Sequence, residues 1–209
     1  MNHPHINRIP ELVEEAIESA NNINHEWDYK NLEWPIDESS TVWEVGSYRG
    51  RWALQICRKY NSSIFCFEPQ IWAWDVTRNV LAGYRATVEN YALGIEDGIF
   101  TMSNHETDGC SFVRDGANGK GYMREISEVK HQLDVDIIDL MLMNIEGYEY
   151  QLIPHMFKNG IYPRYLSVQF HRYDENMRQL YEPTRAMIAK KYNLLWDYGM
   201  TLSGWELND

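Results

Sequence analysis

The stretch Ile137 to Ile145 is the most apolar run in the chain, and it reads as a central strand buried on both faces. Such a strand belongs to a sheet covered by helices on each side. The rest of the chain agrees, because apolar runs of strand length alternate with helical patterns. Strands are expected at Thr41–Val45, Ile64–Phe67, Ala86–Leu93, Ile99–Met102, Tyr165–Phe170, Leu194–Tyr198 and Gly204–Leu207. Helices are expected at Arg51–Tyr60, Ile71–Leu81, Tyr148–Lys158 and Glu175–Tyr192. Upstream, Leu12, Val13, Ala16, Ile17 and Ala20 recur at helical spacing behind Pro10, with Glu11, Glu14, Glu15 and Glu18 on the other face. The pattern weakens from Asn21 to Ser40. Residues 1–40 therefore read as a helical lead-in and 41–209 as the main α/β domain.

A length of 209 residues suits one domain with a short appendage. Nineteen Lys and Arg against 31 Asp and Glu give a formal charge of −12 with no basic run, which disfavours nucleic acid or an anionic membrane as partner. Cys57, Cys66 and Cys110 have no CxxC spacing and read as reduced, buried thiols. There is no secretory leader pattern and no apolar span of membrane length, so a cytoplasmic protein is expected. The Gly-, Asn- and Asp-rich stretch 103–121 is longer than a connector needs and is a candidate lid or binding loop, or else a surface insertion.

The chemistry gathers at the carboxyl ends of the strands, where open α/β sheets bind ligands. The first strand runs through Glu44-Val45-Gly46-Ser47-Tyr48-Arg49-Gly50 into a helix, a turn of nucleotide-binding type that lacks the third glycine of a dinucleotide fingerprint. A carboxylate at Glu44 opposes a pyrophosphate and favours a ligand with a sulfonium or ammonium centre. The second strand ends in Phe67-Glu68-Pro69, where an acid can accept both hydroxyls of a ribose; alone, Glu68 would read as a capping residue. Asn90, at the end of the third strand, can meet a base edge or simply form a turn. The central strand leads into Asn144-Ile145-Glu146-Gly147, and Glu146 can bind substrate hydroxyls, act as a base, or complement the next helix's dipole. His171, after the next strand, can take a proton near neutral pH or be structural, and His105 in the long stretch is a weaker candidate for the pocket. No zinc-type cluster is present; Glu146 with His171 is the one pairing suited to a hard divalent ion, and no metal is expected.

Taken together, Glu44–Gly50, Phe67-Glu68-Pro69, Asn90-Tyr91-Ala92-Leu93-Gly94 and, above all, Ile138–Glu149 resemble the FkbM family of S-adenosylmethionine-dependent methyltransferases. Leu142 stands where that family usually has Lys, and Asn144 where it usually has Asp. Gln169-Phe170-His171 is similar to the ending of an FkbM-like subgroup, and Asp108-Gly109-Cys110-Ser111 sits where such proteins have a substrate-side loop. The resemblance implies a Rossmann-like seven-stranded sheet, mostly parallel with an antiparallel last strand, and O-methylation of a sugar or other small polar hydroxylated molecule. It implies that Glu44, Gly46, Ser47 and Gly50 surround the methionine part of S-adenosylmethionine and Glu68 its ribose, that Asn144 and Glu146 face the reacting end, and that Tyr48, Pro69, Asn90 and Asn144 belong to the cofactor-binding set. His171, Glu146 and Asn144 are then the catalytic candidates. Two other classes share this architecture: a catalytically silent nucleoside-binding module acting through a partner, and a nicotinamide oxidoreductase. The oligomeric state is left open, a dimer included.

Overall fold

The computed structural model describes residues 5–22, 26–103, 117–199 and 201–208. The lead-in holds α1 (Ile9–Asn21) and α2 (Glu26–Lys30). The first half of the main body follows as β1 (Thr41–Val45), α3 (Arg51–Tyr60), β2 (Ser63–Phe67), α4 (Ile71–Val80) and β3 (Ala86–Glu89). Then come β4 (Ala92–Gly94), β5 (Gly98–Ser103), β6 (Ala117–Glu125) and α5 (Ile126–Gln132). The second half is β7 (Leu140–Met143), α6 (Glu149–Lys158), β8 (Tyr165–Gln169), α7 (Glu175–Ile188), β9 (Tyr192–Tyr198) and β10 (Leu202–Leu207).

Seven strands form one sheet in the order β3-β2-β1-β7-β8-β10-β9, with β10 antiparallel to both its neighbours and the other pairs parallel. This is the expected Rossmann-like seven-stranded sheet, mostly parallel with the last strand antiparallel. The chain builds outward from β1 to β3 and then returns to place β7 against the other edge of β1, which opens a crevice at the carboxyl ends of β1 and β7. β7 is buried along its whole length. Met141 and Met143 join Trp43, Val45 and Val168 in the core under α6 and α7, while Leu140 and Leu142 join Val42, Ile64 and Cys66 in the core under α3 and α4.

The lead-in is packed into this second core. Leu12, Ala16 and Ala20 form the buried stripe of α1, which lies on α3 and α4. Beyond α2, the Asn31 carbonyl accepts the indole N–H groups of Trp34 and Trp52, each at 2.9 Å, and the Asn31 side chain accepts the Ser167 hydroxyl at 2.7 Å. Trp34 packs beside the rings of Tyr165 and Trp196.

Four expectations change. The single strand expected over Ala86–Leu93 is two: β3 ends at Glu89, and β4 starts a separate three-stranded sheet, β4-β6-β5. Strands β6 and helix α5 had not been anticipated, because β6 (ANGKGYMRE) carries little apolar alternation and the seven residues of α5 are too few to show a period. The central strand is four residues rather than nine, since Ile137 and Ile145 lie in its flanking loops. Helix α7 stops at Ile188, and β9 begins earlier than expected. The candidate lid from 104 to 116, with His105, Cys110 and Ser111, lies outside the described residues. Among the described residues no helix is long and apolar enough to cross a membrane.

Candidate functional site

The turn after β1 owes its path to Gly46. Its φ is +84°, and a Cβ there would stand 2.0 Å from the Asn144 carbonyl oxygen, so only glycine lets this turn cross the exit of β7. Four of the turn's own N–H groups are committed inside the protein. The N–H groups of Gly46 and Ser47 donate to the Phe67 carbonyl at 3.0 and 3.3 Å, that of Gly50 donates to the Ser47 carbonyl at 2.8 Å, and that of Tyr48 donates to Glu68 Oε2 at 2.8 Å. Such a turn offers no nest of free amides to a pyrophosphate.

Beside it lies a cavity of about 340 Å³. One wall is the turn itself, with Gly46, Ser47, Tyr48 and Arg49; the adjoining wall is Glu68, Pro69, Ala92, Leu93 and Tyr148. Glu44, Asn144 and Glu146 stand at the crevice between β1 and β7. The fourth side, formed by Asn31, Arg51, Gln55 and Gln169, draws on the lead-in, α3 and β8.

Glu44 is buried and accepts from Cys66 Sγ at 3.6 Å and from the N–H of Ala53 in the first turn of α3. Burial drives its carboxyl well above the usual range, outweighing those two donors, with Glu68 adding a small push in the same direction. Glu68 is also buried, and each of its oxygens takes one backbone N–H, Tyr48 on Oε2 and Gln70 on Oε1. Burial pushes it up to about 7 against those bonds. Ser47 Oγ and Asn144 Oδ1 are buried in the cavity wall with no hydrogen-bond partner in the protein. A polar ligand that bonds both atoms relieves that cost.

Two expected site residues stand behind the cavity rather than in its wall. Gly50 is the left-handed N-cap of α3 (φ +70°), and a Cβ on it would lie 2.9 Å from Thr77 Cγ2, so its smallness serves the turn and the approach of α4. The Asn90 amide donates to the carbonyls of Glu68 and Pro69 at 2.9 and 3.4 Å and ties their loop down. Ala92 and Leu93 line the cavity in its place.

At the exit of β7, Glu146 and Gly147 both have positive φ, +56° and +102°. A non-glycine residue in that region is strained, and here the strain turns the Glu146 carboxylate into the wall. Tyr173 donates its hydroxyl to Glu146 Oε2. His171 is buried, is not one of the cavity-lining side chains, and has carboxylates on both ring nitrogens: Glu149 Oε1 on Nδ1 and Glu146 Oε1 on Nε2, each at 3.2 Å. His171 thus sits behind Glu146, and Glu146 is the group of this pair that reaches the cavity. Among the described residues no group of three or more His, Cys, Asp or Glu is arranged to hold a metal ion.

Sequence reasoning had not singled out Asn31, Arg51, Gln55, Gln169, Glu149 or Tyr173 for the site. Arg51 and Gln55 are four apart on α3, a spacing that announces a shared face once the turn before them is read as a site. Asn31 and Tyr173 arrive through tertiary packing and leave no such sign.

No protein-family model matches the chain, and no curated protein matches it. Solved structures do. A methyltransferase FkbM from Methylobacillus flagellatus aligns at TM-score 0.56 and 14% identity, covering 95% of this chain and 59% of that one. An O-methyltransferase from Bacillus cereus in complex with SAH aligns at TM-score 0.55 and 10% identity, covering 95% and 91%. An rRNA methylase from Streptococcus thermophilus aligns at TM-score 0.53 and 11% identity, covering 90% and 100%. The likeness is one of fold, and it extends over nearly the whole chain.

Proposed function

We propose that the chain is an S-adenosylmethionine-dependent methyltransferase of FkbM type that methylates a hydroxyl of a small polar molecule, a sugar being the leading candidate. The observation that carries this reading is the turn after β1, whose amides are spent internally and whose neighbours are the carboxylates Glu44 and Glu68. That wall offers a pyrophosphate no nest of amide donors, which argues against a nicotinamide cofactor, and its two carboxyl groups suit ribose hydroxyls and a cationic centre, toward which they ionise. The SAH in the Bacillus cereus enzyme of the same fold supports the choice.

When bound, the cofactor supplies an electrophilic methyl group on a cationic sulfur. Glu68 retains lone pairs on both oxygens for the ribose hydroxyls, and Pro69, Ala92, Leu93 and Tyr148 supply apolar walls for a base. Ser47 Oγ and Asn144 Oδ1, both lacking protein partners, suit the ammonium end, with Glu44 behind them as a charge that ionises when a cation arrives. Arg51 supplies a cationic head in the same wall for a carboxylate. Glu146 accepts the proton of the acceptor hydroxyl, and most of the acceleration comes from holding the reactants in line, a contribution of about 7–11 kcal/mol in well-oriented reactions. The buried thiols Cys57 and Cys66 suit the reducing cytoplasm.

The test is thermal unfolding with S-adenosylhomocysteine and, in parallel, with NAD. At 100 times its dissociation constant a ligand stabilises by about 2.7 kcal/mol, so the homocysteine should raise Tm by roughly 5–10 °C. No shift with it, or a larger one with NAD, would refute the assignment. A positive shift is followed by transfer of labelled methyl to a panel of polyols and sugars, where labelling of nitrogen or carbon sites instead would refute O-methylation.

A further inference from the structure

Between the exits of β7 and β8 four side chains form one continuous chain ending at the cavity. Glu149 is fully buried, and its carboxylate takes three donors: the Gly147 N–H on Oε2 at 2.8 Å, the His171 N–H on Oε1 at 2.7 Å, and His171 Nδ1 on Oε1 at 3.2 Å. His171 Nε2 faces Glu146 Oε1, and the Tyr173 hydroxyl donates to the other oxygen of Glu146. Tyr150 fixes the backbone of the same loop by donating to the His171 carbonyl at 2.6 Å.

We propose that Glu149 and His171 are positioning residues: Glu149 holds the imidazole ring in its doubly protonated form, and the ring's Nε2–H pins one oxygen of an ionised Glu146 at the cavity wall. A carboxylate only accepts, so a neutral imidazole between two of them would turn a lone pair on an oxygen of one or the other. Glu149 already accepts two backbone amides and Glu146 accepts the Tyr173 phenol, so both acids serve as acceptors here and the ring is left to supply both protons. Two further groups lie beside the ring: Gln169 Nε2 stands 3.5 Å from His171 Nε2, at the limit of a hydrogen bond and farther off than Glu146 Oε1 at 3.2 Å, and Tyr173 lies obliquely at a centroid distance of 5.3 Å. In the same loop Arg172 lies over Tyr181, and Asp174 caps α7 through the Met177 N–H. Burial alone would lower the ring's pKa, but the bonds and charges of Glu146 and Glu149 push it up to about 9. Such a ring has no lone pair to take a proton at neutral pH, so deprotonation falls to Glu146. The pairing holds in the unliganded protein, and only the meaning of Glu146 as proton acceptor rests on the methyltransferase reading.

The experiment is a pH titration of the ring nitrogens of ¹⁵N-histidine-labelled full-length protein, with His171→Gln assigning the resonance. Both nitrogens should report the doubly protonated ring at pH 7 and up to at least pH 8. Glu149→Gln, which keeps the shape and removes the charge, should lower the midpoint by about one pH unit or more, and Glu146→Gln should also lower it. A wild-type ring that is neutral at pH 7, or a folded Glu149→Gln protein with an unchanged midpoint, overturns the proposal. If that variant does not fold, the wild-type Nδ1–H decides: held in a fully buried bond to Glu149, it should exchange slowly with solvent, and rapid exchange overturns Glu149's role. S-adenosylhomocysteine binding is measured on the same samples. A charged ring without ligand binding would leave the positioning pair standing and refute the cofactor, while the reverse would refute the pair alone.

Discussion

Glu44 and Glu68 share one wall, and burial has made weak acids of both. The folded pKa of Glu68, about 7, lies above its unfolded value near 4.5. Its neutral form therefore stabilises the fold fully below the lower value, and that contribution, on the order of 3 kcal/mol, fades as pH rises through the upper one. Ribose hydroxyls prefer the carboxylate, so ligand affinity should climb across the same window. We expect the Tm of the unliganded protein to fall between pH 5.5 and 8 while the affinity for S-adenosylhomocysteine, read by calorimetry, rises roughly tenfold or more. Glu68→Gln should cost roughly 10- to 100-fold in that affinity and flatten its pH dependence; an affinity that stays level with pH in the wild type contradicts the ribose role. With His171 doubly protonated as proposed, its single positive charge faces two carboxylates, Glu146 and Glu149. A neutral polyol should accordingly accept methyl at least about tenfold faster than its phosphorylated or carboxylated counterpart, and equal rates would remove Glu146 from the acceptor's surroundings. Glu44 and Glu68 were legible in sequence because one is the next-to-last residue of β1 and the other follows the last residue of β2, where position along the chain fixes position in the crevice. The pairing of His171 was not, since its partners come from another strand's exit and no spacing encodes which way an imidazole turns.

At the scale of elements, the crossing of the β1 turn over the exit of β7 is the tightest constraint in the site. Gly46→Ala puts a methyl 2.0 Å from a carbonyl oxygen at φ +84°, and we expect a loss of roughly 3 kcal/mol or more, a fall in Tm of roughly 5–10 °C, together with loss of homocysteine binding. Wild-type stability would mean that the two loops separate easily. The lead-in is a second such element. Its residues Leu12, Ala16, Leu32 and Trp34 share a core with α3 and α4, and its Asn31 reaches β8. We propose that residues 1–40 fold as one unit with the rest. Removing them should abolish the cooperative unfolding transition, whereas a sharp transition in the shortened chain would make them an appendage. Asn31→Ala, which strands the buried Ser167 hydroxyl, should cost about 1–3 kcal/mol in chemical denaturation. The helix of the lead-in was plain from its apolar spacing, and the strands of the main sheet from their buried runs. Of the small β4-β6-β5 sheet only the Ile99–Met102 strand was legible, because β4 has three residues, β6 shows little apolar alternation and the three pair out of chain order, so that burial there depends on contacts such as Met123 beneath Gly94.

For the molecule as a whole, the cavity belongs to neither half of the chain. Glu44, the β1 turn and Glu68 come from residues before 90, while Asn144, Glu146, Gln169 and Leu202 come from residues after 140. The alternation of strands and helices announced this architecture, because a sheet that grows outward and then returns to its starting strand must open a crevice there. What it did not announce was the side of the crevice closed by the lead-in, which depends on Asn31 meeting Ser167 and Trp34 meeting Tyr165 and Trp196. That closure sets an order of events during synthesis. On the ribosome, α1, α3 and α4 can settle on β3-β2-β1 as soon as residue 89 has emerged, but the free edge of β1 and the Trp43 face stay uncovered until β7 and α6 appear. Asn31 and Trp34 must wait for strands made more than a hundred residues later. Leu202, the wall residue latest in chain order, opens β10, so the pocket is complete only once β10 has been made and has paired with β8.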